Sequence, residues 1–210
     1  MAGGVDGWVS LELSTLFIHD ADSTLAAARD LYARTRRPNL LISIPGTNEN
    51  LSVIEEAIFA GMPVNVTLLF SREHYMAAAE AFLLGTERRI MAGLNPYVGS
   101  VASLNVCHWD AAVTAKVPDT LRGQLSIAIA RRTYRAYREF LSSPRWQRAY
   151  NAGARPQRLL WAGTRHKDPK ASDDSYINAL AAPLTVTTMS ESALKAFAER
   201  GGLGTLMPTD

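Results

Sequence analysis

The sequence predicts an α/β fold of parallel strands joined by helical crossovers. Short β-type apolar runs alternate with stretches of helical periodicity along the chain. One run, 64–70, is nearly unbroken in its apolar character, the pattern of a strand covered on both faces. Strand–helix–strand units are right-handed in nearly all proteins, which leaves a barrel or an open doubly wound sheet. Six strands can be counted, whereas a complete (β/α)₈ barrel has eight. The pattern alone does not separate an incomplete barrel from a six-stranded open sheet. No GxGxxG follows the first strand, so nothing favours a dinucleotide fold.

Residues 8–13 read as the first strand. A helix follows over 23–35, with Asp22 or Ser23 as N-cap and Leu25, Ala28 and Tyr32 along one face. The second strand, 39–44, is ended by Pro45 and Gly46. A helix over 50–60 stops before Gly61, where glycine accommodates a left-handed cap. The third strand, 64–70, leads into a long helix over 71–92. The fourth strand, 100–107, precedes a long helix over 121–141, and Pro144 opens a shorter one. The last strands are 158–162 and 184–189, each followed by a helical pattern, 173–180 and 190–200.

Composition narrows the class. With 210 residues, 47% hydrophobic and 20% charged, the chain reads as one globular domain over 1–210 with a sizeable core. A formal net charge of +2 gives no field that implies nucleic acid. The cluster Arg131, Arg132, Arg135 and Arg138 reads as a solvated helix face. Cys107 is the only cysteine, which excludes a disulfide within the chain and suits a reducing, cytoplasmic setting. No apolar run approaches the roughly 20 residues of a membrane helix, and the start lacks the pattern of a secretory signal. Neither a membrane nor a nucleic-acid partner is expected.

In parallel α/β folds, functional groups gather at the C-terminal ends of strands. Those ends offer Glu12 with Ser14 and His19 beyond it, then Ser43 with the turn Pro45-Gly46-Thr47, then Asn65 and Thr67. The later ends offer Ser103, Asn105, Cys107 and His108, then Thr164, Arg165, His166 and Lys167, and finally Thr187 and Thr188. Glu12, Asn65 and Thr67 are the most informative, because a polar side chain in a buried strand is costly unless hydrogen-bonded. Alternation puts Asn65 and Thr67 on one face. They suit either a ligand site or a satisfied structural network. His108 and His166 suit acid–base work or simple packing. Arg165-His166-Lys167 suits a phosphate or an ordinary basic loop. Cys107 reads as an inert thiol, and Trp109, Trp146 and Trp161 as packing. No metal-ligand spacing, Walker loop or GxSxG is present, so neither metal nor cofactor is expected.

Several stretches, in order, resemble the transaldolase family. Val9-Ser10-Leu11-Glu12 is similar to its third barrel strand. The stretch from Pro38 to Thr47 resembles its nucleophile strand, usually of the form xNxxIKIPGT. Asn65 to Ser71 matches its NVTLLFS strand, and Gly99 to Ser103 its GSVAS strand. Gly153 to Ala162 resembles the ARPQRLLWAS segment of the long bacterial subfamily, and Thr185 to Met189 its TVNTM strand. Together they cover about residues 5–208. The resemblance implies a partial TIM-type (β/α) barrel that begins at the third barrel strand, the first two being missing. It also implies a class I aldolase chemistry, in which a lysine forms a Schiff base with a ketose and a dihydroxyacetone unit passes between sugar phosphates. On that resemblance Glu12 and Thr67 are catalytic positions, Asn65 and Ser103 contact substrate, and Arg165 and Lys167 lie in the phosphate loop.

The departures are as informative. Ser43 stands at the lysine position. Gly163 replaces the usual phosphate-loop serine, and Asn105 and His108 replace an aromatic residue and an arginine. Thr187 and Ser190 replace an asparagine and a proline. Two readings follow. One is a transaldolase-type transferase of the pentose phosphate pathway or of specialised sugar biosynthesis, with a substitute amine for which Lys167 is the nearest candidate. The other is a pseudoenzyme that binds sugar phosphates or partners an active subunit. Open sheet edges would then suit homo- or hetero-oligomers. A third reading is a nonfunctional remnant that does not fold stably alone, which a cooperative unfolding transition would exclude.

Overall fold

A computed structural model describes residues 7–13, 20–35, 37–113, 115–164, 175–200 and 205–208. Its strands are β1 (Val9–Glu12), β2 (Leu40–Pro45), β3 (Val64–Leu69), β4 (Ser100–Asn105), β5 (Arg158–Ala162) and β6 (Thr185–Thr187). Its helices are α1 (Ala21–Thr35), α2 (Leu51–Phe59), α3 (Arg72–Met91), α4 (Cys107–Val113), α5 (Gln124–Ser142), α6 (Pro144–Asn151), α7 (Ser175–Ala179) and α8 (Glu191–Arg200).

The six strands form one sheet in the order β1-β2-β3-β4-β5-β6, and every pairing is parallel. This decides what the sequence pattern left open. A doubly wound sheet reverses its strand order at a switch point and carries helices on both faces. Here each strand adds on the same side of the last, so right-handed crossovers stack the helices on one face. Accordingly α1 packs on α2, α2 on α3, and α3 on α5 and α6. The result is a partial TIM-type barrel whose sheet is not closed among the described residues.

The helix-facing side of the sheet holds the core. Ile42, Ile44, Val64, Val66, Ala102, Leu104, Leu159 and Trp161 are buried there against Ile54, Ile58, Tyr75, Phe82, Tyr134 and Tyr137. The other face differs from the expectation for 64–70. Strand β3 alternates buried and half-buried residues instead of being covered on both sides. Val64, Val66 and Leu69 take the helix side, and Asn65 and Thr67 take the opposite side.

Three local differences have clear causes. Helix α1 starts earlier than expected, because Asp20 rather than Asp22 or Ser23 caps it: the Ser23 N–H donates to Asp20 Oδ2 at 3.2 Å. The fourth strand ends at Asn105, and Cys107 opens the unforeseen helix α4. The N–H groups of Val106 and Cys107 donate to the carbonyls of Ala162 (2.9 Å) and Gly163 (3.1 Å), which turns the chain across the end of β5. Asp110, buried on α4, then ties three helices together. It accepts from the Tyr176 hydroxyl of α7 at 2.5 Å and from the Ser126 N–H of α5 at 3.3 Å. Its own N–H donates to Ser126 Oγ at 3.2 Å. The N-cap of α5 is Gly123, which has no side chain to offer, so Asp110 caps that helix from a neighbouring element.

The sheet is strongly curved, with its helix-free face concave. Ser10 on β1 and Asn65 on β3 are separated by β2, which in a flat sheet would hold them about 9–10 Å apart. Their short side chains nevertheless bond at 3.0 Å. Trp8, just before β1, reaches further. A Cβ built on Gly99, at the start of β4, would stand 2.6 Å from its indole. Contacts that skip strands are a mark of a barrel interior. No helix among the described residues is long and apolar enough to cross a membrane.

Candidate functional site

The concave face carries one connected polar network. The Ser103 hydroxyl on β4 donates to Asn65 Oδ1 at 2.6 Å, which fixes the amide orientation. Asn65 Nδ2 then donates to Ser10 Oγ at 3.0 Å. Ser10 Oγ lies 2.8 Å from Ser43 Oγ. Four adjacent strands thus contribute one neutral hydrogen-bonding group each. Ser43 and Ser103 are buried, Asn65 is half-buried and Ser10 is exposed. Each bond contributes about 1 kcal/mol net. Their joint effect is to orient the donors and acceptors left over, including the second Asn65 amide proton.

Glu12 and Thr67 flank the network. Glu12 is exposed on the edge strand and pairs in register with Ser43. Thr67 is half-buried and sits where the β3–β4 ladder breaks, between Val66 and Leu69. Leu68 takes a φ of 57°, unusual for a non-glycine residue, and its side chain is exposed. The irregularity turns the strand end, and the Gly46 N–H pins it by donating to the Thr67 carbonyl at 2.7 Å. Strand bulges commonly re-aim a side chain beside a functional site.

The neighbouring strand ends are more occupied. Asn105 presents a buried Oδ1 without a hydrogen-bond partner, pressed by Gly163, where an added Cβ would lie 2.6 Å away. His108 is exposed and tilts over the Phe70 ring at a centroid distance of 4.8 Å. Cys107 is half-buried. Thr164 is turned away, donating to the Thr188 carbonyl at 2.6 Å. Arg165, His166 and Lys167 lie outside the described residues, as do Ser14 and His19. No cluster of three or more potential metal ligands occurs among the described residues.

The structure therefore brings Ser43, Asn65 and Ser103 together, with Glu12 and Thr67 beside them. Sequence reasoning missed Ser10, the link between β1 and the rest. Its signal was present: Trp8, Ser10 and Glu12 alternate, so they share one face of β1.

Comparison with known proteins bears on the same chain. The family model for transaldolase/fructose-6-phosphate aldolase matches residues 1–206. The chain belongs to this family. A transaldolase of Thermobifida fusca is 45% identical over 206 residues, covering 94% of this chain and 56% of the relative. Transaldolases of Frankia alni and a Parafrankia strain are 43% and 42% identical over 208 residues, each covering 95% of this chain and 56% of the relative. The chain thus spans just over half the length of these transaldolase relatives.

Proposed function

We propose that the concave face binds sugar phosphates without forming a covalent adduct. The observation that carries this reading is the state of Ser43. Its hydroxyl is buried and engaged with Ser10 inside a neutral network, at the position the family resemblance gives to the Schiff-base lysine. A hydroxyl cannot form the iminium that serves as electron sink for carbon–carbon cleavage. The described lysines are Lys116, in the turn after α4, and Lys195, paired with Glu191 on α8 at 2.7 Å. Neither belongs to the network. Asn65, Ser103 and Ser10 remain able to hold hydroxyl groups, and the family description, transaldolase/fructose-6-phosphate aldolase, points to sugar phosphates as the ligand class.

The test uses the purified chain and fructose 6-phosphate. Ligand binding to the native state raises the unfolding temperature, while borohydride followed by mass analysis finds no lysine adduct. A trapped adduct on Lys167 or any other lysine, or measurable dihydroxyacetone transfer, overturns the proposal in favour of the transferase reading. Ser43→Lys supplies a second arm. If the rest of the site is intact, borohydride traps a new adduct at position 43 in that variant alone.

A further inference from the structure

We infer that Trp8 forms an aromatic floor to the concave face, and that the site therefore takes a sugar in its closed-ring form. The inference rests on reading this face as a sugar-phosphate site. Trp8 lies two residues before Ser10, on the same face of the chain. The edge of its indole reaches Gly99, just before β4, where a Cβ would stand 2.6 Å from the ring and glycine has none to exclude it. It is nevertheless 41% exposed, whereas Trp146 and Trp161 are buried. An exposed indole next to a row of neutral hydroxyl and amide groups has the chemistry of a carbohydrate cradle. The π-face is electron-rich and attracts the electron-poor C–H groups on one face of a sugar ring. The hydroxyl and amide groups of Ser10, Ser43, Asn65 and Ser103 address the ring hydroxyls. A rigid ring also loses less conformational freedom on binding than a flexible open chain. Covalent capture of the open-chain carbonyl as an iminium requires an amine, and Ser43 supplies none.

Two probes with the same phosphate end separate ring from chain: fructose 6-phosphate, which is cyclic, and glucitol 6-phosphate, which cannot cyclise. The unsubstituted chain should bind the cyclic probe about fivefold more tightly. Fructose 6-phosphate should also shield tryptophan emission from acrylamide quenching, and glucitol 6-phosphate should not. Trp8→Ala should erase the preference, and Trp8→Phe should keep most of it. Far-UV circular dichroism and the urea midpoint check that each variant folds. The shielding measurement, made on the unsubstituted chain, does not depend on them. Equal binding of the two probes, or no shielding by the cyclic one, overturns the inference but leaves the sugar-phosphate reading standing. If neither probe binds, both proposals fall.

Discussion

Ser10 Oγ and Ser43 Oγ meet at 2.8 Å although the two residues are not register partners. Ser10 is level with Leu41, and Ser43 is level with Glu12. The bond is therefore diagonal, and it draws the Ser43 side chain toward the N-terminal end of the sheet, away from the carboxylate. Ser10→Ala removes the acceptor of Asn65 and the partner of Ser43 together. We expect it to cost about 1–2 kcal/mol in urea unfolding and to weaken sugar-phosphate binding. A variant with unchanged stability and unchanged affinity would show that the bond does not organise the site.

Gly85→Ala tests the seam between α2 and α3. In most helix interiors this change gains up to about 1 kcal/mol through helix propensity. Here the new Cβ would lie 2.6 Å from the Glu55 carbonyl oxygen and 2.9 Å from Ile58 Cβ. Backbone cannot yield cheaply, so the change should destabilise by about 1–3 kcal/mol. The sign alone decides. A higher urea midpoint in the variant would show that the helices are less tightly apposed.

Alkaline pH should unfold the protein through its buried phenols. Burial pushes the Tyr137 hydroxyl from its ordinary value of 10.0 up to about 12, while the nearby Arg158 and Arg138 charges partly oppose the shift. Tyr75 is raised as well, by burial and by its neighbour Tyr137. A phenol with a raised folded pKa gives its full contribution below the unfolded value and loses it as pH climbs through the folded one. Tyr137 alone then accounts for about 2–3 kcal/mol lost between pH 10 and about 12. Tyr137→Phe should flatten that part of the stability profile. An identical slope in the variant would assign the alkaline transition to other groups.

Asp110→Ala should be among the most damaging single changes outside the sheet. It strips the Tyr176 hydroxyl of its carboxylate and the first turn of α5 of its cap. The expected loss is about 3 kcal/mol, against about 1 kcal/mol for Tyr176→Phe. Because both act on one network, the double variant should fall short of the sum of the two. Strict additivity in a double-mutant cycle would mean that the pair is not coupled.

The sequence conveys the strands and helices well, their order within the sheet only through the family resemblance, and the site only in pieces. The sheet is legible because apolar residues on β2 to β5 recur at every second position, and turn signals such as Pro45-Gly46 and Gly61 fall between elements. Helix α4 is hidden because Cys107-His108-Trp109-Asp110 is poor in strong helix formers and stands directly after a strand. Its cause is tertiary: the carbonyls of Ala162 and Gly163 fix where the chain turns. Glu12, Ser43, Asn65, Thr67 and Ser103 stand out as polar residues in apolar runs. That Ser103 orients Asn65, and Asn65 reaches over β2 to Ser10, depends on sheet curvature, which no local pattern encodes. Trp8 carries no signal beyond its place at the start of the first strand, and only the structure shows its indole set against the bare backbone of Gly99.

Strand order has a further consequence for how the molecule assembles. Among the described residues, each β-strand bonds only to those immediately before and after it in the chain. Within this six-stranded sheet no strand is threaded between two others, and none has to wait for a later one. As the polypeptide emerges from the ribosome, each new strand–helix unit finds its docking edge already formed. Growth of the sheet can then keep pace with synthesis, with β2, β3 and the helices above them as a natural seed.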